Sequence, residues 1–113
     1  MNVSYEGIGY LAVTFPAGVC EAGKLCKLNV LGQTERCEEG EAFCGFVEEL
    51  GSNRCAAVQI AGFVEVSYTG SAPTRGYAKL SSDGQGGVKE DSAGKEYLVV
   101  ALNADESKIT IRL

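Results

Sequence analysis

Among the 113 residues, the side chains with the widest chemical repertoire are five cysteines, Cys20, Cys26, Cys37, Cys44 and Cys55, all in the first half of the chain. A thiol can ligate a metal, pair as a disulfide or act as a nucleophile, and its spacing and surroundings decide which. The close pairs of a structural zinc site are missing here, and there is no histidine to complete one. An odd number of cysteines, behind an N-terminus (MNVSYEGIGYLAV) with no basic region and continuous apolar block, argues against a disulfide framework. Cys44 lies in FCGFV and Cys55 in CAAV, where a thiol serves as a small hydrophobe. Both are therefore expected to be buried, reduced and unligated.

Acid–base chemistry has few candidates. Without histidine, a nucleophilic triad would need a lysine or a carboxylate as its base. Glu35, Glu38, Glu39 and Glu41 have the oxygen ligands of a calcium loop, but a charged loop that keeps a sheet edge soluble is the favoured reading. The run Asp83-Gly84-Gln85-Gly86-Gly87 has the glycines of a phosphate cradle and lacks the Lys-Ser/Thr and the helix that would follow, so a hairpin turn is expected. No catalytic, metal-binding or cofactor-binding residue is assigned, and the chain is expected not to be an enzyme.

These residues must be held by strands. Fifteen glycines cut the chain into short apolar stretches, the pattern of a small barrel or sandwich of antiparallel strands with little or no helix. Strands are expected over residues 8–15, 24–30, 34–37, 42–50, 54–60, 63–68, 77–81, 88–91, 97–103 and 108–113. In the second, Cys26, Leu28 and Val30 should share a face; in the fourth, Phe43, Gly45 and Val47 should oppose Cys44, Phe46 and Glu48. Gly45 marks a bulge or a close backbone approach. In 63–68, Val64, Val66 and Tyr68 alternate with Phe63, Glu65 and Ser67; in 108–113, Ile109, Ile111 and Leu113 alternate with Lys108, Thr110 and Arg112. The last two strands form a hairpin with the four-residue loop Ala104-Asp105-Glu106-Ser107. One domain spans 1–113.

Composition limits the partners. Ten Lys plus Arg against 15 Asp plus Glu give a formal charge of −5, the wrong sign for a phosphate-binding surface, so nucleic acid is not expected. Membrane is not expected either, since no apolar run approaches the ~20 residues of a helical span. Five tyrosines, Tyr5, Tyr10, Tyr68, Tyr77 and Tyr97, combine apolar area with a polar tip, a combination suited to interfaces, although most are expected to line or cap the fold. The candidate protein contacts are Tyr5, Ile8 and Tyr10 near the N-terminus, and Pro73 and Arg75 in the turn-rich TGSAPTRG loop.

A wider pattern joins these cues: an apolar first strand, a Pro-Ala-Gly turn, Gly-Lys-Leu, then Glu-Gly-Glu-Ala-Phe-Cys-Gly and Val-Gln-Ile-Ala-Gly-Phe-Val-Glu-Val. A Pro-containing loop, Gly-Tyr-Ala-Lys-Leu, Gly-Gly-Val-Lys and a terminal strand pair follow. From about Tyr5 to Leu113 this resembles the bacteriophage and prophage capsid-decoration proteins that have a β-tulip or β-clip domain. The resemblance implies a virion protein made in the bacterial cytoplasm and carried on the capsid surface, with residues 1–7 (MNVSYEG) as its docking arm by position. Its implied partners are the major capsid protein and copies of itself, commonly as a homotrimer, with no cofactor. The five cysteines depart from that role, which needs no thiol. The alternative is a small-ligand or carbohydrate-binding β-domain serving a larger complex, which would need a concave, aromatic-lined pocket.

Overall fold

A computed structural model describes residues 9–113. They form ten strands and no helix, as the glycine-punctuated alternation predicts: β1 Leu11–Pro16, β2 Leu25–Leu28, β3 Thr34–Arg36, β4 Gly45–Leu50, β5 Cys55–Ala61, β6 Phe63–Ser67, β7 Gly76–Ser82, β8 Val88–Glu90, β9 Lys95–Asn103 and β10 Lys108–Arg112. They assemble into two five-stranded antiparallel sheets, β1-β5-β4-β2-β3 and β6-β10-β9-β7-β8. The N-terminal half of the chain makes the first sheet and the C-terminal half the second. The crossing between them takes one residue, Gly62, between the end of β5 and the start of β6.

Gly62 has φ +96°, a backbone region that a side chain disfavours, and a Cβ there would lie 3.0 Å from the Tyr10 Cα. The buried Gln59 braces this corner from inside. Its Nε2 donates to the Ala61 carbonyl at 3.1 Å and to the Phe63 carbonyl at 2.9 Å, on either side of the glycine. The Leu113 amide donates to the Gly62 carbonyl at 2.9 Å, which ties the last residue to the same point.

The larger core lies on the inner face of the second sheet. Val64 and Val66, Ile109 and Ile111, Tyr97 and Val99, and Leu80 and Val88 meet Leu25, Cys37 and Phe43 from the other half, with the Phe43 and Tyr97 rings stacked at 4.9 Å. Strand alternation leads to this arrangement, since successive side chains point to opposite faces. A smaller core of Cys26, Val47, Ala56 and Val58, flanked by Phe15, Ala17, Cys20 and Ile60, uses the alternate residues of the first sheet. Leu25 and Cys26 are neighbours in sequence but belong to different cores, so β2 is covered on both faces. The same holds for Phe46 and Val47 in β4.

Gly45 makes the close approach expected of it. A Cβ at this position would run into the Gln59 carbonyl oxygen and lie 2.6 Å from Val58 Cγ1. The expected facing of its neighbours needs correction, because Phe43 packs in the larger core and Val47 in the smaller. Cys26 pairs with Gly45 while the Cys44 amide also reaches the Cys26 carbonyl at 2.8 Å, so two residues oppose one and the alternation breaks at Cys44. Val30 also departs from its expected face: β2 ends at Leu28, and Val30 lies fully exposed in the turn that follows.

The expected burial of Cys44 and Cys55 is overturned. Cys44 is exposed and Cys55 half-buried, whereas Cys26 and Cys37 are the enclosed thiols; all five are free. Cys44 precedes the first paired residue of β4, and Cys55 opens β5 opposite Pro16 at the end of the β1–β5 ladder, so neither has the apolar cover that its neighbours in sequence imply.

Replacing Gln59 by Leu leaves the carbonyls of the corner without their amide donor. A loss of about 2 kcal/mol is expected, the usual cost of stranding buried polar groups, read as a lower urea midpoint at unchanged slope. Gly45→Ala should destabilise by about 1–3 kcal/mol in the same assay, because the β5 backbone beside it has nowhere to go.

Candidate functional site

Of the five contact candidates read from the sequence, Tyr5 and Ile8 lie outside the described residues. Tyr10 is 47% exposed, and its hydroxyl donates to Glu48 Oε1 of β4. That bond, together with partial desolvation and the negative charge of Glu48, raises the phenol pKa. Tyr10 therefore fastens the start of β1 across the sheet, and its exposed ring edge remains available. Pro73 is corrected from a surface contact to a fully buried residue. Proline has no amide proton to satisfy, so its ring can be enclosed within a loop without stranding a donor. Arg75 is exposed, as expected, two residues before the exposed Tyr77.

The register of the second sheet builds a feature that no local stretch of sequence contains. Arg112 of β10 stands opposite Phe63 of β6 on one side and Leu98 of β9 on the other, and Leu98 stands opposite Tyr77 of β7. Directly opposed residues of an antiparallel ladder point to the same face, so Phe63, Arg112, Leu98 and Tyr77 form one row across four strands. Their sequence neighbours Val64, Ile111 and Val99 point into the core, which leaves this row on the outer face. Tyr77 is 69% exposed, Arg112 is exposed, and Phe63 and Leu98 are half-buried. Tyrosine, phenylalanine and arginine are the types enriched where proteins meet, since they offer large apolar area and a planar donor fork at modest entropy cost.

Two shallow clefts adjoin the row and share Leu98, Arg112 and Leu113. One is completed by Tyr77, Lys95, Glu96 and Tyr97, with Lys95 Nζ 5.4 Å from the Tyr97 ring centre. The other is completed by Gly9, Ala61, Gly62 and Phe63. The described chain therefore begins, at Gly9, beside the Phe63 end of the row. The sequence marks Tyr77 as a residue of interface type, and its alternation sets Phe63 opposite in face to Val64 and Arg112 opposite to Ile111. What it lacks is the strand order β6-β10-β9-β7, which joins them.

The charged cluster serves the fold. Lys27 Nζ lies 2.8 and 2.7 Å from the two carboxylate oxygens of Glu41 and 3.6 Å from Glu35, while Lys89 Nζ lies 3.1 Å from Glu39. The Glu38 amide donates to Glu41 Oε1 at 2.7 Å. Among the described residues no group of three or more His, Cys, Asp or Glu is arranged to hold a metal ion. The Asp83 run is the hairpin turn expected of it: Asp83 Oδ1 accepts the amides of Gln85 and Gly87 at 2.7 and 3.0 Å, between β7 and β8.

No protein-family model matches the chain, and no curated protein matches it in sequence.

The ion pairs around Lys27 have a pH signature. The hydrogen bond from Lys27, then the one from the Glu38 amide, holds the Glu41 carboxyl below its ordinary 4.5, and bonds from the Ala93 amide and the Ser81 hydroxyl hold Asp91 below its ordinary 3.8. A carboxyl whose pKa is lower folded than unfolded binds its proton more weakly in the native state. Its stabilisation is therefore complete above the unfolded value and is lost as pH falls through the folded one. Urea midpoints should be flat with respect to these groups from pH 7 to 5 and should fall below about pH 4.5. Lys27→Met should reduce the Glu41 share of that acid dependence to the part due to the Glu38 amide, and should leave the Asp91 share.

Proposed function

We propose that this chain is a structural assembly protein that docks on the outer surface of a phage or prophage capsid and stabilises its lattice. It acts there as a symmetric homotrimer, with the major capsid protein as its partner. The observation that carries a docking role is the Phe63–Arg112–Leu98–Tyr77 row, with Gly9 at its end. The described chain begins at that end, with Gly9, and the arm proposed at residues 1–7 belongs to the same docking role. The choice of a capsid as the docking partner rests on the resemblance of the strand and turn pattern to decoration proteins. A trimer on a repeating lattice needs only weak individual contacts, because the second and third binding events become intramolecular.

Co-sedimentation with assembled shells, and with free capsid subunits as control, tests this reading. Tyr77→Ala and Arg112→Glu should each weaken occupancy roughly 30-fold per site, the equivalent of about 2 kcal/mol for a central contact residue. Deleting residues 1–7 should abolish shell binding with little change in melting temperature. Sedimentation velocity should give three copies per particle. A monomer at working concentration, or variants that still decorate shells fully, would overturn the proposal and favour a small-ligand or carbohydrate-binding domain.

A further inference from the structure

The thiols offer a second chemistry, independent of docking. Cys26 is fully enclosed in the smaller core and Cys44 is exposed, just before the first residue of β4. The two are joined directly by the backbone, the Cys44 amide donating to the Cys26 carbonyl at 2.8 Å. A cross-strand amide–carbonyl bond brings its two residues close together, and a disulfide needs their Cα atoms roughly 4.4–6.8 Å apart.

We propose that Cys44 and Cys26 form a thiol–disulfide exchange site, in which exposed Cys44 is the attacking thiol, buried Cys26 is the resolving thiol, and a small-molecule disulfide is the oxidant. The Cys44 thiolate attacks one sulfur of the small disulfide. That bond breaks, and one small thiol leaves with the proton that Cys44 gave up. Cys26 then attacks the Cys44 sulfur of the mixed disulfide, and the second small thiol leaves with the Cys26 proton. Two protein thiols are oxidised to one disulfide, and the small disulfide is reduced to two thiols.

The two thiols are poised in opposite directions. The hydrogen bond from Cys26 holds Cys44 down to about 7 against the opposing effect of burial, so a large fraction is thiolate at neutral pH, close to the optimum for an attacking thiol. The same bond, with desolvation and the nearby Cys44 charge, pushes Cys26 up and keeps it protonated. Once Cys44 is capped as a mixed disulfide, its hydrogen bond with Cys26 and its charge are both gone, and desolvation is the obstacle that remains to deprotonating Cys26. Cys37, the other enclosed thiol, is pushed up to about 11, by desolvation first, and does not compete as a nucleophile.

The reduced full-length protein is incubated with oxidised glutathione at neutral pH, quenched with acid and mapped by mass spectrometry. A loss of two hydrogens and a linked Cys26–Cys44 peptide are expected. Cys44→Ser should yield neither the link nor an adduct at this site, and Cys26→Ala should stop at one glutathione on Cys44. Because position 26 is enclosed and its variant can misfold, the unaltered protein supplies a second measurement. Limiting iodoacetamide should alkylate Cys44 at least tenfold faster than Cys20 or Cys55. Linkage of a different pair, a Cys44 adduct in the unaltered protein that never resolves, or faster labelling of Cys55 would overturn the proposal.

Discussion

The molecule depends on the one-residue corner at Gly62. Strand β5 is interior to the first sheet and β6 edges the second, so the chain must leave one plane and enter the other without a loop to absorb the change. The positive φ of Gly62 supplies the bend, and the Gln59 amide binds the carbonyls on both sides of it. A side-chain amide enclosed at 4% exposure is costly unless its hydrogens are satisfied, so Gln59 is stable inside only when the corner has this one shape. The phase of β6 follows from that. A slip of one residue would turn Val64 and Val66 outward and Phe63 inward, exchanging the larger core for the outer face. The core and the proposed docking row are thus two sides of the same register.

The corner also gathers the two ends of the described chain. Tyr10 packs its Cα against Gly62 and bonds Glu48, and Leu113 donates to the Gly62 carbonyl. Any segment that precedes residue 9 therefore starts from a fixed point beside the exposed row. Preorganisation of this kind lowers the entropy cost of binding, which matters for a weak contact repeated over a lattice.

Strand positions were legible because each strand is half-buried and its alternation is written locally, as in FVEVS of β6 and KITIR of β10. The turns were legible from glycine and Asx chemistry, as at Asp83. Burial of single side chains was less so. Cys44 and Cys55 sit among apolar letters, but their exposure is decided by a bulge and a strand end, and Pro73 sits among polar letters but is enclosed. Pairings between distant strands were not legible at all. The row from Phe63 to Tyr77 joins residues 63, 112, 98 and 77 through strand ladders, and one backbone hydrogen bond joins 44 to 26; neither leaves a trace in neighbouring letters.

The acidic cluster ties these threads together. Its carboxylates stand in the connection between β3 and β4, and their charge is used within the fold. Lys27 reaches from β2 to grip Glu41, and Lys89 reaches from β8 to grip Glu39. The backbone does the same, since the Gly40 amide donates to the Ser82 carbonyl and the Ser82 amide to the Glu41 carbonyl, both at 2.9 Å. Phe43 completes the seam by stacking on Tyr97. A connection clamped to the second sheet at four points cannot drift, and the next residue along it is Cys44. Surface ion pairs are individually weak, so their consequence here is geometric. They hold in place the segment that leads to the exposed Cys44, and the carboxylates that resemble a ligand-binding loop in sequence are engaged with lysines and a backbone amide in the fold.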